Sequence, residues 1–442
     1  MKKNGKQCDA EMLIKLFEEN SLNRQQKVIK FADLLCNSQD NVSISMNGQW
    51  GSGKTFFIKQ VKLLIDAYSD KSTLSATQIT QIKQIYQRNH EKALRGTRSL
   101  YYDAWIHDGD GDPLQSLLLD LINSPWSNYD IDKSASIGDD LLSICDIVTG
   151  RDISAAIKNM RSSNNIFEDV ERYEKVSEKV RNILDTIKNG EGRLVIFIDE
   201  LDRCKPSFAV DLLETIKHYF SDNEITVVYS LNAKELQHTI KSYYGDGFDA
   251  SAYLDRFFDL QCSIPEVEPK EYAKLFFDNS RYGYACIALA QYFKMSLRTI
   301  EMFANSVKLA CSGAVQSIGP YDYEKIIIID YFIPIAFALN ITNKNKYDDF
   351  LHGRGRDIII DLNNCIDVVP SWIFSRDEKQ GEITDADVAT RTADIYDAMF
   401  LYDRDGGYSV SIGNLRFTRE TLSLFYDILS FTSWLVVDQY QL

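Results

Sequence analysis

Gly48-Gln-Trp-Gly-Ser-Gly-Lys-Thr55 fills the pattern G-x-x-x-x-G-K-[ST] position for position. At average residue usage a chain of this length shows that pattern by accident on the order of one time in a hundred. Just before it, Asn41-Val-Ser-Ile-Ser-Met-Asn alternates as a strand does, and from Lys54 to about Tyr68 the apolar spacing is that of a helix. A turn with little side-chain bulk between strand and helix lets successive backbone N–H groups converge on phosphate oxygens, and the helix N-terminus adds a fixed positive potential. Gly48, Gln49, Trp50, Gly51, Ser52, Gly53, Lys54, Thr55 and Phe56 are therefore the expected seat of a nucleoside triphosphate, ATP or GTP. Lys54 is expected to reach the β- and γ-phosphates, and Thr55 to offer its hydroxyl to Mg2+. The competing reading is a plain glycine turn with an exposed lysine.

Such a site needs a carboxylate at the tip of a neighbouring buried strand. Leu194-Val-Ile-Phe-Ile-Asp199-Glu200 offers one, since a continuous apolar run fits a strand covered on both faces. Asp199 is the expected second metal ligand. Glu200 is the expected catalytic base that polarises the attacking water, worth about 10²- to 10⁴-fold in rate. A third apolar run, Val227-Val-Tyr-Ser-Leu, ends at Asn232. That residue is equally a γ-phosphate sensor or the cap of the helix that follows. Arg203, Arg256 and Arg298 are the candidates for a guanidinium that meets the transferring phosphate, against the ordinary alternative of surface or salt-bridged arginines.

Bulk properties limit the partners. Lys and Arg number 49 against 64 Asp and Glu, a net charge of −15, which argues against wholesale wrapping of nucleic acid. The eight cysteines lack the paired short spacings of structural zinc and read as reduced thiols in a cytoplasmic protein. Charged residues interrupt the N-terminal segment, so no secretory signal is expected. The most apolar stretch, Ile326 to Leu339, carries Asp330 and Pro334 and is shorter than the ~20 residues a spanning helix needs. It reads as a buried core helix, and no integral membrane segment is expected.

Residues 9 to 38 have helical spacing, and residues 70 to 98 form a basic insertion, helical around Thr77 to Leu94. Ser99 to Trp105 reads as a strand, Pro113 to Asn123 as a helix, 124 to 166 as a polar insertion and Glu168 to Lys188 as a helix. Ile225 to Leu231 and Asp259 to Ile264 complete five strands with helices between them, which implies an α/β fold with a mostly parallel sheet covered on both faces. The expected domains are an NTPase core over 1–268, a helical lid over 269–341 and a mostly α region over 342–442. In the last region the spacing predicts a helix near Val388 to Leu401, a hairpin through Ser411 to Leu415 and a helix from Thr418 to Val436.

The loop with its internal tryptophan, Tyr102-Asp-Ala-Trp105, Ile198-Asp-Glu-Leu-Asp-Arg-Cys204, Tyr244-Gly245 and Tyr253-Leu-Asp-Arg-Phe-Phe258 together resemble the KAP family of P-loop NTPases, from about residue 9 to 312. That family includes an animal membrane scaffold with ankyrin repeats and a plasmid-encoded phage-exclusion protein. The resemblance implies an additional-strand, catalytic-glutamate core with ATP and Mg2+ at Lys54, Thr55, Asp199 and Glu200. It also suggests a nucleotide-driven switch in anti-phage defence, working as a homo-oligomer or with a partner effector. Two features depart from the family: no membrane-spanning run lies in residues 124 to 166, and Asn232 stands where an aspartate is frequent. The rival readings are a nucleic-acid-stimulated ATPase, motivated by Lys83, Arg88, Lys92, Arg95 and Arg98, and a scaffold that holds ATP without turning it over.

Overall fold

A computed structural model of the chain describes residues 10–38, 41–69, 72–86, 94–125, 166–188, 192–220, 224–277, 280–312, 319, 322–366, 369, 373–374, 384–405, 409–413 and 415–437. The chain divides into two compact units, Met1–Glu266 and Val267–Leu442.

The first unit runs α1 (Ala10–Glu18), α2 (Gln25–Asn37), β1 (Val42–Asn47), α3 (Lys54–Tyr68), α4 (Ala76–Ile85), β2 (Thr97–Asp103), α5 (Ala104–His107), α6 (Pro113–Ile122) and α7 (Ile166–Lys188). It continues with β3 (Arg193–Asp199), a 3₁₀ turn at Leu201–Arg203, α8 (Pro206–Tyr219), β4 (Ile225–Leu231), α9 (Ala233–Tyr244), α10 (Ala250–Leu254) and β5 (Leu260–Ser263). The five strands are all parallel, in the order β2-β3-β4-β1-β5.

Period-two alternation explains how β3 serves two cores at once. Leu194, Ile196 and Ile198 pack with α6, α7, α8 and α9, while Val195 and Phe197 pack on the other face with α1, α2, α3 and α4. Every residue of β3 and of β4 is buried, as expected of strands covered on both sides. The register aligns the carboxyl ends: Asn47 lies opposite Leu231, and Asp199 opposite both Ser230 and Asp103. β4 is the strand inserted between β1 and β3, the additional-strand arrangement expected from the sequence.

One boundary differs from the sequence reading. β2 ends at Asp103, whose Oδ1 accepts from the Ile106 N–H at 3.2 Å and so starts the short helix α5; Trp105 is helical rather than strand. Helix α4 ends at Ile85, Leu94 and Arg95 are again helical, and residues 87–93 lie outside the described residues. Of the expected insertion over 124 to 166, residues 126–165 lie outside them too.

The second unit contains α11 (Pro269–Phe277), α12 (Gly283–Tyr292), α13 (Leu297–Cys311), α14 (Tyr323–Ile327), a π turn at Ile328–Phe332, α15 (Ile333–Thr342), α16 (Lys344–Leu351), α17 (Arg356–Ile366) and α18 (Asp385–Asp405). An antiparallel hairpin, β6 (Ser409–Ile412) with β7 (Leu415–Thr418), leads into α19 (Arg419–Val437).

One expectation is corrected here. Tyr323–Thr342 is a continuous 20-residue helical run whose most apolar 18 residues have a mean hydropathy of 1.7, long and apolar enough by length and composition to cross a membrane. The π turn carries the helix past Asp330 and ends just before Pro334, interrupting the regular α-helical ladder where the proline ring and its missing N–H would otherwise disturb it. Of the run's apolar window 78% is buried inside the protein, which is the environment of a core helix. Asp330 is itself buried and ion-paired to Arg281 at 3.1 Å.

Candidate active site

The Gly48 N–H donates to Leu231 O at 3.1 Å and prolongs the β1–β4 ladder by one residue before the chain turns. A Cβ on Gly48 would lie 2.6 Å from Ile264 Cγ2 and 2.8 Å from Ser52 Oγ, so only glycine fits there. Gly53 closes the loop in the left-handed region, φ 83° and ψ 30°, and α3 begins at the next residue. Among the described residues the backbone N–H groups of Gly51, Gly53, Lys54 and Thr55 find no acceptor. Together they form an anion cradle at a helix N-terminus.

Lys54 is buried, and its Nζ donates to Gly48 O at 2.7 Å and Gln49 O at 3.3 Å. Burial lowers its pKa, partly offset by the charges of Asp202, Asp199 and Glu200. Thr55 Oγ1 donates to Asp199 Oδ2 at 2.7 Å, joining the loop to the tip of β3. The same oxygen accepts from the Tyr101 hydroxyl at 3.0 Å, and Oδ1 accepts from the Glu200 N–H at 3.1 Å. A hydroxyl and a carboxylate in contact at the edge of the cradle are hard oxygen donors. They suit Mg2+, which is commonly held by one or two protein groups and completes its shell with water and phosphate oxygens.

Glu200 takes a left-handed backbone conformation, φ 62° and ψ 22°, which a side chain adopts at some cost and which turns the chain sharply off β3. Burial first, and then the neighbouring Asp199 charge, push its carboxyl up to about 7, against the lowering pull of Arg203. Glu200 Oε2 is ion-paired to Arg203 Nε, and the Arg203 guanidinium sits 5.6 Å from the Trp105 ring centre. Trp50 reaches across from the loop: its indole N–H donates to Asp202 Oδ2 at 2.6 Å. His107 stacks on Tyr102 at 4.6 Å and pairs with Asp110 and Asp120, so it is a packing residue.

Asn232 caps α9, its Oδ1 accepting from the Lys234 N–H at 3.2 Å. It also lines a cavity of about 750 Å³ beside the loop, together with Gly48, Gln49, Trp50, Ser52 and Glu266. Of the two candidate arginines in the first unit, Arg203 is the one brought to the acidic strand end. Arg256 is exposed in the turn after α10, and Arg298 is exposed in the first turn of α13 in the second unit. Neither of their side chains has a hydrogen bond or ion pair among the described residues.

Three residues of the site escaped the sequence reading. Tyr101 and Asp202 bind through side chains whose partners lie roughly a hundred or more positions away, and Arg24 reaches the underside of the loop from the start of α2. Their only sequence signal is a polar residue at a strand or helix end, which is too common to single them out.

A family model described as the KAP family P-loop domain matches residues 24–310, well over half of the chain. No curated protein sequence matches it. The matched segment contains the glycine loop, the Asp199-Glu200 strand end and the inserted strand between them, and on that basis the chain belongs to the KAP family of P-loop NTPases.

Proposed function

We propose that the chain binds Mg2+·ATP in the loop Gly48–Thr55 and hydrolyses it, and that the change of nucleotide state switches its conformation or assembly. The observation that carries this reading is the 2.7 Å contact between Thr55 Oγ1 and Asp199 Oδ2, which joins two segments 144 residues apart at the mouth of the anion cradle. When bound, Mg2+ neutralises charge on the phosphate oxygens and orients them for in-line attack. Gly51, Gly53, Lys54 and Thr55 hold phosphate oxygens through their N–H groups, and the Lys54 ammonium leaves its two carbonyl acceptors for the β- and γ-phosphates. Glu200 takes a proton from the attacking water at its carboxylate. Asn232 reports the γ-phosphate, and Arg256 or Arg298, both exposed, are of the kind that act on a neighbouring copy's nucleotide. Residues 269–341 serve as the responding lid, and the family's phage-exclusion member motivates a role in cytoplasmic anti-phage defence.

Phosphate release from Mg2+·ATP tests the core of this. Lys54→Ala should abolish nucleotide binding. Glu200→Gln should keep binding and lose at least about 10²-fold in turnover. EDTA should abolish turnover of the unmodified chain. Full hydrolysis by Glu200→Gln would refute the assigned base, GTP competition decides the base preference, and native mass with and without a non-hydrolysable analogue tests assembly.

A second reading, a scaffold that holds ATP without rapid turnover, is favoured by the ion pair that engages Glu200 with Arg203. Tight binding with negligible phosphate release would select it. The nucleic-acid reading finds less support: Lys83 lies over the Tyr68 ring at 4.9 Å and Arg98 donates to Ser69 Oγ at 2.7 Å, while Arg88 and Lys92 lie outside the described residues.

A further inference from the structure

Arg24 opens α2, only 2% exposed, on the opposite side of the phosphate loop from its open N–H groups. Its guanidinium donates to Ser52 O at 3.1 Å, to Gly53 O at 3.4 Å and to Pro265 O. All three acceptors are main-chain carbonyls. Among the described residues no carboxylate pairs with it, although buried cations ordinarily find an anion. Burial alone accounts for its lowered pKa, held at about 10, so it carries its charge at neutral pH.

The consequence follows from the planarity of the peptide bond. In a trans peptide the carbonyl of one residue and the N–H of the next point in opposite directions. Drawing the Ser52 and Gly53 carbonyls onto Arg24 therefore turns the N–H groups of Gly53 and Lys54 away from it, and those two lack acceptors among the described residues. The third bond, to Pro265, ties the same guanidinium to the chain leaving β5, next to Ile264, the residue that closes over Gly48. A buried cation with no protein anion also contributes positive potential directly beneath the place where a triphosphate would lie.

We infer that Arg24 is a positioning residue for the phosphate cradle: it fixes the peptide planes of residues 52–54 so that their N–H groups face an anion, and its own missing counter-ion is the nucleotide's phosphate. The inference rests on the nucleotide-binding reading above for the identity of the anion, but not for the orientation of the loop, and the two are tested separately.

Amide hydrogen exchange on the nucleotide-free chain reads the loop. Arg24→Ala should speed exchange of the hydrogen-bonded amides around the loop, those of Gly48, Ser52 and Phe57, by about tenfold or more while β3 keeps its protection. Titration with a fluorescent ATP analogue and Mg2+ reads the anion. Loss of two or more charge-assisted hydrogen bonds predicts affinity lower by about 10- to 100-fold. Guanidinium ion at about 20 mM, far below its molar denaturing range, should restore both toward the unmodified values by refilling the site. Should Arg24→Ala not fold, Arg24→Lys is read in the same way: a loss because an ammonium does not span all three carbonyls, and a smaller one because the charge remains. A folded variant with unchanged loop exchange overturns the inference. A chain that binds no nucleotide yet shows Arg24-dependent loop protection removes the phosphate from the inference and refutes the proposed function instead.

Discussion

Replacing Trp50 by phenylalanine keeps an aromatic ring in the phosphate loop and removes one hydrogen bond, the 2.6 Å donation from the indole N–H to Asp202 Oδ2. Asp202 is 7% exposed and stays behind as a buried carboxylate with a donor lost. A hydrogen bond to a charged group contributes about 1.5–3 kcal/mol. Trp50 is 49% exposed, so water competes for the site and the lower end applies. About 1.5 kcal/mol corresponds to roughly tenfold in nucleotide affinity if the bond holds the loop in its accepting form. The assay is a double-mutant cycle of Trp50→Phe, Asp202→Ala and the pair, each titrated with a fluorescent ATP analogue and Mg2+. A bond that acts as a unit gives a coupling energy near that same ~1.5 kcal/mol, since the second substitution then has little left to remove. Additivity within about 0.5 kcal/mol would refute the reasoning. Tighter binding by Trp50→Phe would refute it too, by showing that the bond must break before the nucleotide enters.

The remaining predictions concern two carboxyls, the half-buried Glu200 and the buried Asp330. Because the Glu200 carboxyl of the nucleotide-free chain sits at about 7, and only its deprotonated form can accept a proton from water, kcat/KM for Mg2+·ATP should fall as pH drops through about 7 and not through the ordinary carboxylate range. A rate profile flat between about pH 6 and 8 would count against Glu200 as the base. Asp330 is pushed up to about 6, by burial first, with Arg281 pulling it down. Its pKa is therefore higher in the folded than in the unfolded chain, the native state binds more protons between about pH 4 and 6, and stability falls as pH rises across that window by up to about 3 kcal/mol. Urea unfolding at the two ends of the window measures this. Asp330→Asn should flatten the difference, and an unchanged slope would show that the buried Asp330 carboxyl is not the source.

Legibility in the sequence followed the range of the interaction. The loop, β3 and β4 were readable because local pattern encodes them: small residues at fixed offsets for a turn, and unbroken apolar runs for strands covered on both faces. The hairpin at Ser409–Thr418 and the closing helix were readable for the same reason. The end of β2 was misplaced by two residues because Asp103 competes for the backbone as a helix cap, a choice that alternation alone does not express. The helix through Asp330 was read as too short because a charge and a proline look like interruptions. The π turn and the Arg281 partner that accommodate them are visible only in three dimensions.

By itself the sequence determined the parallel α/β core, the glycine turn with its lysine and threonine, and the acidic pair at the end of a buried strand, because each is written in residues close together along the chain. Only the tertiary structure decided that Thr55 meets Asp199, that Trp50 is bound to Asp202, that Arg203 rather than Arg256 faces Glu200, and that Arg24 holds the loop from beneath. Arg203 and Glu200 are close in sequence, but the left-handed turn that folds one back on the other is not encoded by their spacing. The remaining contacts join segments tens to hundreds of residues apart, and their geometry is set by the parallel register of β1, β4 and β3, which no local pattern carries.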